Sequence, residues 1–383
     1  MQGTLDWVSV INIVGVVNGL FLTVVVKGVK KGDQVTKNIL SLLLLTYSLV
    51  ILGNVIWQTR IYHSLPFLIG IFPNLYFLIG PLLYFYVKAL TSDSGLTFKK
   101  KDLLHLAPGI LNILYLFPYY FWDVEKKIRV FEDLSLRNSL SYHIILVIRL
   151  FHISVYLIIT IRLLKEHQNN IKKSYSFIEK IQLSWIKYLI FAIGLLLGAY
   201  VVFYILSLLE YFTSDPFSMK AKIFSIWQTV LLFFIGYQGL VQPEIFSDGN
   251  NPKPLKEKYK HSRLTNQQAN EYLEELLKFM QEQKPYLNSE LTLKELANKI
   301  SISHFFLSQI INEKLNQNFF DFVNRYRVEE AKRQLKLIKK SPHATILKIA
   351  FDSGFNSKST FNMVFKKIVK MTPSQFMEQR AIK

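Results

Sequence analysis

The chain has 383 residues, a formal net charge of +19, 50% hydrophobic residues and no cysteine. The missing cysteine excludes disulfides, thiolate metal sites and cysteine nucleophiles, and the apolar content, with a mean hydropathy of +0.22, excludes a mainly disordered chain. So positive a charge points to an anionic partner, nucleic acid or a membrane surface, and the question becomes whether grease and charge are mixed or segregated along the chain.

They are segregated at Pro243. Before it, seven apolar runs are each long enough to cross a bilayer core, which takes about 20 helical residues. They are 5–26, 38–58, 65–87, 103–122, 141–164, 185–209 and 221–241. The first run has Asp6 ahead of it and Lys27, Lys30 and Lys31 behind it, which reads as a retained helix rather than a cleaved signal peptide. These flanks place the N-terminus outside. The inner connections then carry 14 Lys and Arg against 7 in the outer ones, and seven spans leave the tail inside. Trp7, Trp57 and Trp122 fall at outer ends and Trp185 at an inner end, as an aromatic belt requires.

Polar groups inside these runs are candidates for function. Arg149 is the one charged residue well inside a run, and His152 follows it at i+3 on the same helix face. A cavity containing Arg149 suits an anionic ligand such as a carboxylate; otherwise Arg149 satisfies carbonyls or snorkels within the bundle. Pro73, Pro81, Pro108 and Pro118 break the third and fourth runs and free carbonyls to line a cavity. The pairs Gly15 with Gly19 and Gly194 with Gly198 offer close helix approach, inside the bundle or between two copies. There is no zinc-binding H-E-x-x-H, no phosphate-cradling glycine loop and no Ser-His-Asp set, so neither an enzyme nor a metal or other cofactor is expected.

A Gly-, Pro- and Asn-rich stretch, 246–254, reads as a linker, through which proteolytic release of the tail is one expectation. Thr265 and Gln268 then form a capping box at the start of a helix whose face Tyr272, Leu273, Leu276, Leu277 and Met280 packs on the domain that follows. The tail contains a repeat. Leu296-Ala297, four residues ahead of Ser301-Ile302, resembles Ile349-Ala350 ahead of Gly354-Phe355. Leu307, Ile310 and Ile311 follow the first copy, and Phe361, Val364 and Phe365 the second. The small alanine lets two helices approach, the glycine permits a sharp turn, and the spaced apolar residues fix the second helix across the first. That is a helix-turn-helix, present twice and joined by a long helix from Phe319 through Leu335.

With these residues in place, the stretch 291–376 resembles the DNA-binding domain of the AraC/XylS family of bacterial transcription regulators. Gly354-Phe355, Phe365-Lys366-Lys367 and Thr372-Pro373-Ser374 carry the resemblance in the second unit, and Leu296-Ala297, Leu307-Ser308 and Tyr326-Arg327 before it. The whole chain looks like a membrane-tethered branch of that family. The expected architecture is all-α: a seven-helix transmembrane domain (1–243), a linker and amphipathic helix (244–290), and a DNA-binding domain (291–383) of two helix-turn-helix units joined by a long helix. The resemblance implies two recognition helices in successive major grooves, about 34 Å apart. The implied first reading face is Ser303, His304, Ser308, Gln309 and Asn312, with Ser303 better suited to capping its helix. The second is Ser357, Lys358, Asn362, Met363, Lys366 and Lys367.

Many relatives have Arg where this chain has Gln309 and Met363, and Gly where it has Asn316 and Lys370, which puts base preference and the corner geometry in question. Residues 320–383 hold 14 basic against 5 acidic side chains, which assigns the phosphate attraction to the second unit. The expected protein is a one-component regulator in the bacterial cytoplasmic membrane. Its expected partners are promoter duplex DNA, the lipid bilayer, a small-molecule ligand, RNA polymerase and a second copy of the chain. The competing expectation is a transporter or receptor-like protein whose C-terminal module binds a protein partner.

Overall fold

The computed structural model describes residues 5–30, 32–92, 95–133, 139–179, 181–208, 216–241, 264–337 and 345–379; the linker 246–254 lies outside them. Among the described residues the regular structure is helical, apart from one isolated antiparallel bridge between Tyr175 and Thr292. The chain divides into two compact units, one of residues 1–164 and 183–251, the other of 165–182 and 252–383.

In the first unit, α1 (Trp7–Gly28) and α2 (Gln34–Gln58) start at aspartate caps, Asp6 and Asp33, whose carboxylates accept from backbone N–H groups one turn on. Three short 3-10 turns, the last containing Pro73, lead to α3 (Tyr76–Thr91), which holds Pro81. A further 3-10 turn runs into α4 (Ala107–Tyr120), followed by the amphipathic α5 (Val124–Glu132), then α6 (Leu140–Ser174), α7 (Ser184–Leu208) and α8 (Pro216–Val241). Among the described residues, seven helical segments are long and apolar enough to cross a membrane, and their bounds fall on the seven apolar runs, with α6 extending beyond its run. At 1.5 Å per residue α6 is about 50 Å long, more than a hydrocarbon core of about 30 Å.

Leu40, Leu43, Leu44 and Ile51 put α2 at the centre of the apolar core. Several polar side chains there are paired across helices. The Asn12 amide donates to Ser225 Oγ at 2.8 Å, the Asn54 amide to Gln228 Oε1 at 2.9 Å, and the Gln228 amide to the Tyr76 hydroxyl at 2.9 Å. A Cβ on Gly15 would meet Thr229 at 2.6 Å and one on Gly19 would meet Ser48 Oγ at 2.1 Å, so this pair serves packing inside the unit. Around Gly194 and Gly198 no such neighbour lies within 4 Å.

The second unit contains α9 (Asn266–Glu282), α10 (Leu293–Lys299), α11 (His304–Glu313), α12 (Phe319–Leu337), α13 (Ile346–Asp352), α14 (Lys358–Val369) and α15 (Pro373–Glu378). α9 begins at the Thr265–Gln268 capping box and buries Leu276 and Met280 among Leu293, Leu296, Leu307 and Ile311. The long α12 serves two cores. Phe319, Phe322 and Val323 face that first one, while Phe320, Val328, Ala331 and Leu335 face a second built from α13, α14 and α15. Ile171, Tyr175 and Ile178 complete the second core. Read from hydropathy, residues 165–182 are a charged connection between two apolar runs; in the structure they belong to the C-terminal unit.

Candidate nucleic-acid interface

α10 and α11 form the first helix-turn-helix. Thr292 and Glu295 cap α10 reciprocally, Ala297 is fully buried at the crossing, and Ser301 takes the left-handed conformation (φ +53°) that makes the turn. Ser303 is the N-cap of α11, its hydroxyl accepting from the Phe305 N–H at 3.3 Å. Leu307, Ile310 and Ile311 hold α11 against the core. Of the sequence-predicted face, His304, Gln309 and Asn312 are half-buried. Ser308 differs: it is only 2% exposed and accepts from the Asn312 amide at 3.3 Å, so it faces the packed side and presents no surface to a base. The Gln309 amide donates to Glu313 at 3.0 Å and has to leave it to read an adenine edge.

α13 and α14 form the second. Gly354 supplies the turn (φ +89°), and the Ser357 hydroxyl caps α14 by accepting from the Thr360 N–H at 3.1 Å. Phe361, Val364 and Phe365 face the core. The outer side presents Lys358, Met363, Lys366 and Lys367, all exposed, with Ser357 and Asn362 half-buried. Met363 is 59% exposed, a large apolar side chain where a groove-entering helix would meet thymine methyl groups. Asn316 and Lys370 both adopt the left-handed corner conformation (φ +50° and +65°), so the turn that glycine makes in many AraC/XylS relatives is kept without it.

The sequence profile of a family described as "Helix-turn-helix domain" matches residues 296–379, which spans both pairs. Residues 296–379 are an AraC-type helix-turn-helix domain. An uncharacterized HTH-type transcriptional regulator of Staphylococcus aureus strain COL is 33% identical over 95 residues, 25% of this chain and 12% of that protein. A probable transcription factor of Proteus vulgaris, PqrA, is 29% identical over 110 residues, 29% of this chain and 86% of that protein. This chain therefore spans about an eighth of the length of the staphylococcal relative. A solved structure of a Listeria innocua protein of unknown function matches with 28% identity over 28% of this chain and 94% of that one, at a TM-score of 0.24.

Two acidic side chains already sit on the basic face of the AraC-type domain. Lys367 Nζ lies 2.7 Å from Asp321 Oδ1 of α12, an exposed pair worth at most about 1 kcal/mol that a phosphate can displace. The second is Glu179. One of its carboxylate oxygens accepts from the hydroxyls of Ser357 at 2.8 Å and Thr360 at 2.7 Å, and from Ser359 as well. Partial burial pushes the Glu179 carboxyl up, but these three hydrogen bonds outweigh it and hold the group below the usual carboxylate range. Sequence reasoning missed Glu179. The available signal was Glu179 itself, one of two acids (with Glu166) in the mainly basic connection 165–187, which topology counting treats as background.

In the first unit, Arg149 lies on the wall of a cavity of about 190 Å³, with Tyr47, Tyr76, Tyr200 and Gln228 among its neighbours and apolar side chains making up the rest. Its Nε is buried without a hydrogen-bond partner, and its guanidinium carbon stands 5.6 Å from the centre of the Phe77 ring. His152 is not part of this wall: its ring lies against Phe77 (5.4 Å) and Tyr156 (4.8 Å). The i+3 spacing put the two on one helix face, but the rings of α3 and α6 close over His152.

Proposed function

We propose that the chain is a membrane-tethered one-component transcription regulator: the seven apolar helices cross the cytoplasmic membrane, and the AraC-type domain binds promoter DNA on the inner side, where RNA polymerase acts. The observation that carries the topology is the composition of the C-terminal unit. It takes in 165–182, the connection between the fifth and sixth apolar segments, which supports a topology with that connection and the DNA-reading domain on one side of the membrane. The connection is rich in lysine, and positive connections stay in the cytoplasm. DNA reading is supported by the paired helix-turn-helix geometry and by Lys358, Lys366 and Lys367 on the outer side of α14.

The purified full chain in lipid nanodiscs is expected to bind a mixed-sequence 40-bp duplex with an affinity that falls steeply with salt. Replacing Lys366 and Lys367 together by Ala should reduce the slope of log K against log salt by about two, one for each phosphate left without its lysine. An unchanged slope would remove α14 from the interface, and no binding by the native chain would remove the reading.

The same reading makes the Arg149 cavity the input site. Its one cation with an unsatisfied buried Nε, set among apolar walls and tyrosine hydroxyls, suits a small organic anion, a carboxylate on an apolar body. His152 takes no part in that site. In cells carrying a reporter fused to a bound promoter, Arg149→Leu should leave membrane insertion intact and abolish the response to the inducing compound. A variant that responds like the native chain would refute the site.

A further inference from the structure

The second recognition helix has an occupant. Three hydroxyls at the start of α14 converge on the Glu179 carboxylate, and one of them, Ser357, is the N-cap itself. α14 has no acidic residue in its own first turn. The negative charge that complements its positive N-terminal end thus comes from a segment 178 residues earlier in the chain. In a helix-turn-helix the N-terminal residues of the recognition helix meet DNA, and a helix N-terminus is where a phosphate settles. An ionised carboxylate is an acceptor only, as is a phosphate, so the two compete for the same donors and repel each other.

The segment that carries Glu179 is built into the domain. Ile171, Tyr175 and Ile178 are buried with Phe355, Phe361 and Phe365. The Ser176 hydroxyl donates to the Leu291 carbonyl at 2.6 Å and accepts from the Arg327 guanidinium at 3.0 Å. Anchor and carboxylate are separate: the apolar side chains and Ser176 hold the segment, and Glu179 accepts from the hydroxyls at the start of the recognition helix. The segment continues directly from α6, the helix on which Arg149 sits.

We propose that residues 165–182 act as a brake on DNA binding, with Glu179 holding the phosphate position at the N-terminus of α14 until a movement of α6 withdraws it. α14 then has two mutually exclusive partners, the chain's own carboxylate and a DNA backbone phosphate, and the state of the membrane half decides between them. A signal shifts this balance only by favouring one state over the other. The proposal rests on the DNA-binding reading above.

The test uses the full chain in nanodiscs and the mixed-sequence 40-bp duplex at about 50 mM salt, where phosphate contacts dominate. Glu179→Gln keeps the side chain's shape and removes its charge. It should bind the duplex about tenfold more tightly than the native chain, as removal of one repelling charge beside a phosphate predicts. Because the chain has no cysteine, Glu179→Cys combined with Ser359→Cys creates a single pair for a short bis-maleimide bridge. Bridging should abolish the binding that the same double variant shows before it is bridged. Equal binding by the native chain and Glu179→Gln, or unchanged binding after bridging, overturns the brake while leaving the DNA-binding reading intact. Weaker binding by Glu179→Gln also overturns it, because Glu179 would then be supporting the binding-competent form. Failure of every variant, the native chain included, to bind the duplex overturns the functional reading and the brake with it.

Discussion

Replacing Arg327 by Met is expected to destabilise the C-terminal unit by about 3–5 kcal/mol, enough to unfold it at physiological temperature. Arg327 is 1% exposed and stands where the parts of the unit meet. Its Nε donates to the Tyr286 carbonyl at 2.8 Å, and its terminal nitrogens donate to the carbonyls of Asn288 (2.8 Å) and Ser176 (3.2 Å) and to Asn324 Oδ1 (3.1 Å). One side chain therefore ties the 3-10 turn that follows α9 (Pro285–Leu287), the long α12 and the 165–182 segment together. Burial pushes its pKa down to about 9, so the group remains charged at neutral pH and donates to acceptors that have no water to turn to. Methionine keeps much of the volume and leaves those carbonyls stranded. Lysine does not rescue, since a single ammonium with three donors cannot span a fork. All five tryptophans, Trp7, Trp57, Trp122, Trp185 and Trp227, precede Pro243, so their fluorescence is a poor report on this unit. Limited proteolysis of the nanodisc-embedded chain across a urea series is the suitable measurement. A midpoint shift worth less than about 1 kcal/mol would deny Arg327 its central role.

Arg327 also shows what was legible in the sequence and what was not. Its position beside Tyr326 in the connecting helix is readable as part of the resemblance, but its work is not, because its acceptors are backbone carbonyls that carry no side-chain signature. The seven apolar segments are legible because length and hydropathy are local properties, and the helix bounds follow them closely. The two helix-turn-helix pairs are legible because the Ala crossing, the turn residue and the apolar spacing repeat. Ser308 misleads because a small polar residue scores as surface, whereas its place between Leu307 and Ile311 turns it inward. His152 misleads for the opposite reason: helix spacing fixed its face, but neighbouring rings fixed its surroundings. Glu179 depends on a pairing between a short connection and a helix far along the chain, and no local window contains both.

Gly354→Ala is expected to cost at least about 3 kcal/mol, adding backbone strain to a steric collision. Gly354 has φ +89°, a conformation in which an L side chain is strained whatever the space around it. There is also no space: a Cβ would sit 2.3 Å from the Tyr286 carbonyl oxygen, 3.0 Å from Leu287 Cα and 3.1 Å from Arg327 Nε. The obstructing oxygen is the acceptor of the Arg327 Nε hydrogen bond, so relieving the collision means moving the group that Arg327 depends on. The glycine thus does more than permit a turn between α13 and α14; its missing side chain lets the second turn lie against the 3-10 turn Pro285–Leu287 that follows α9 and bring Tyr286 to Arg327. The first helix-turn-helix supplies the control. Ser301 occupies the equivalent turn at φ +53° without a glycine, and Ser301→Gly should leave stability within about 1 kcal/mol of the native chain. The two substitutions, read by the same proteolysis midpoint, separate the cost of a left-handed residue from the cost of the collision. A Gly354→Ala chain that resists the protease as well as the native one would mean that the Pro285–Leu287 turn and the second turn do not meet as the structure places them. A large loss at Gly354 beside a small change at Ser301 would locate the rigid joint of the DNA-reading domain at the Tyr286–Arg327–Gly354 contact, between its two halves.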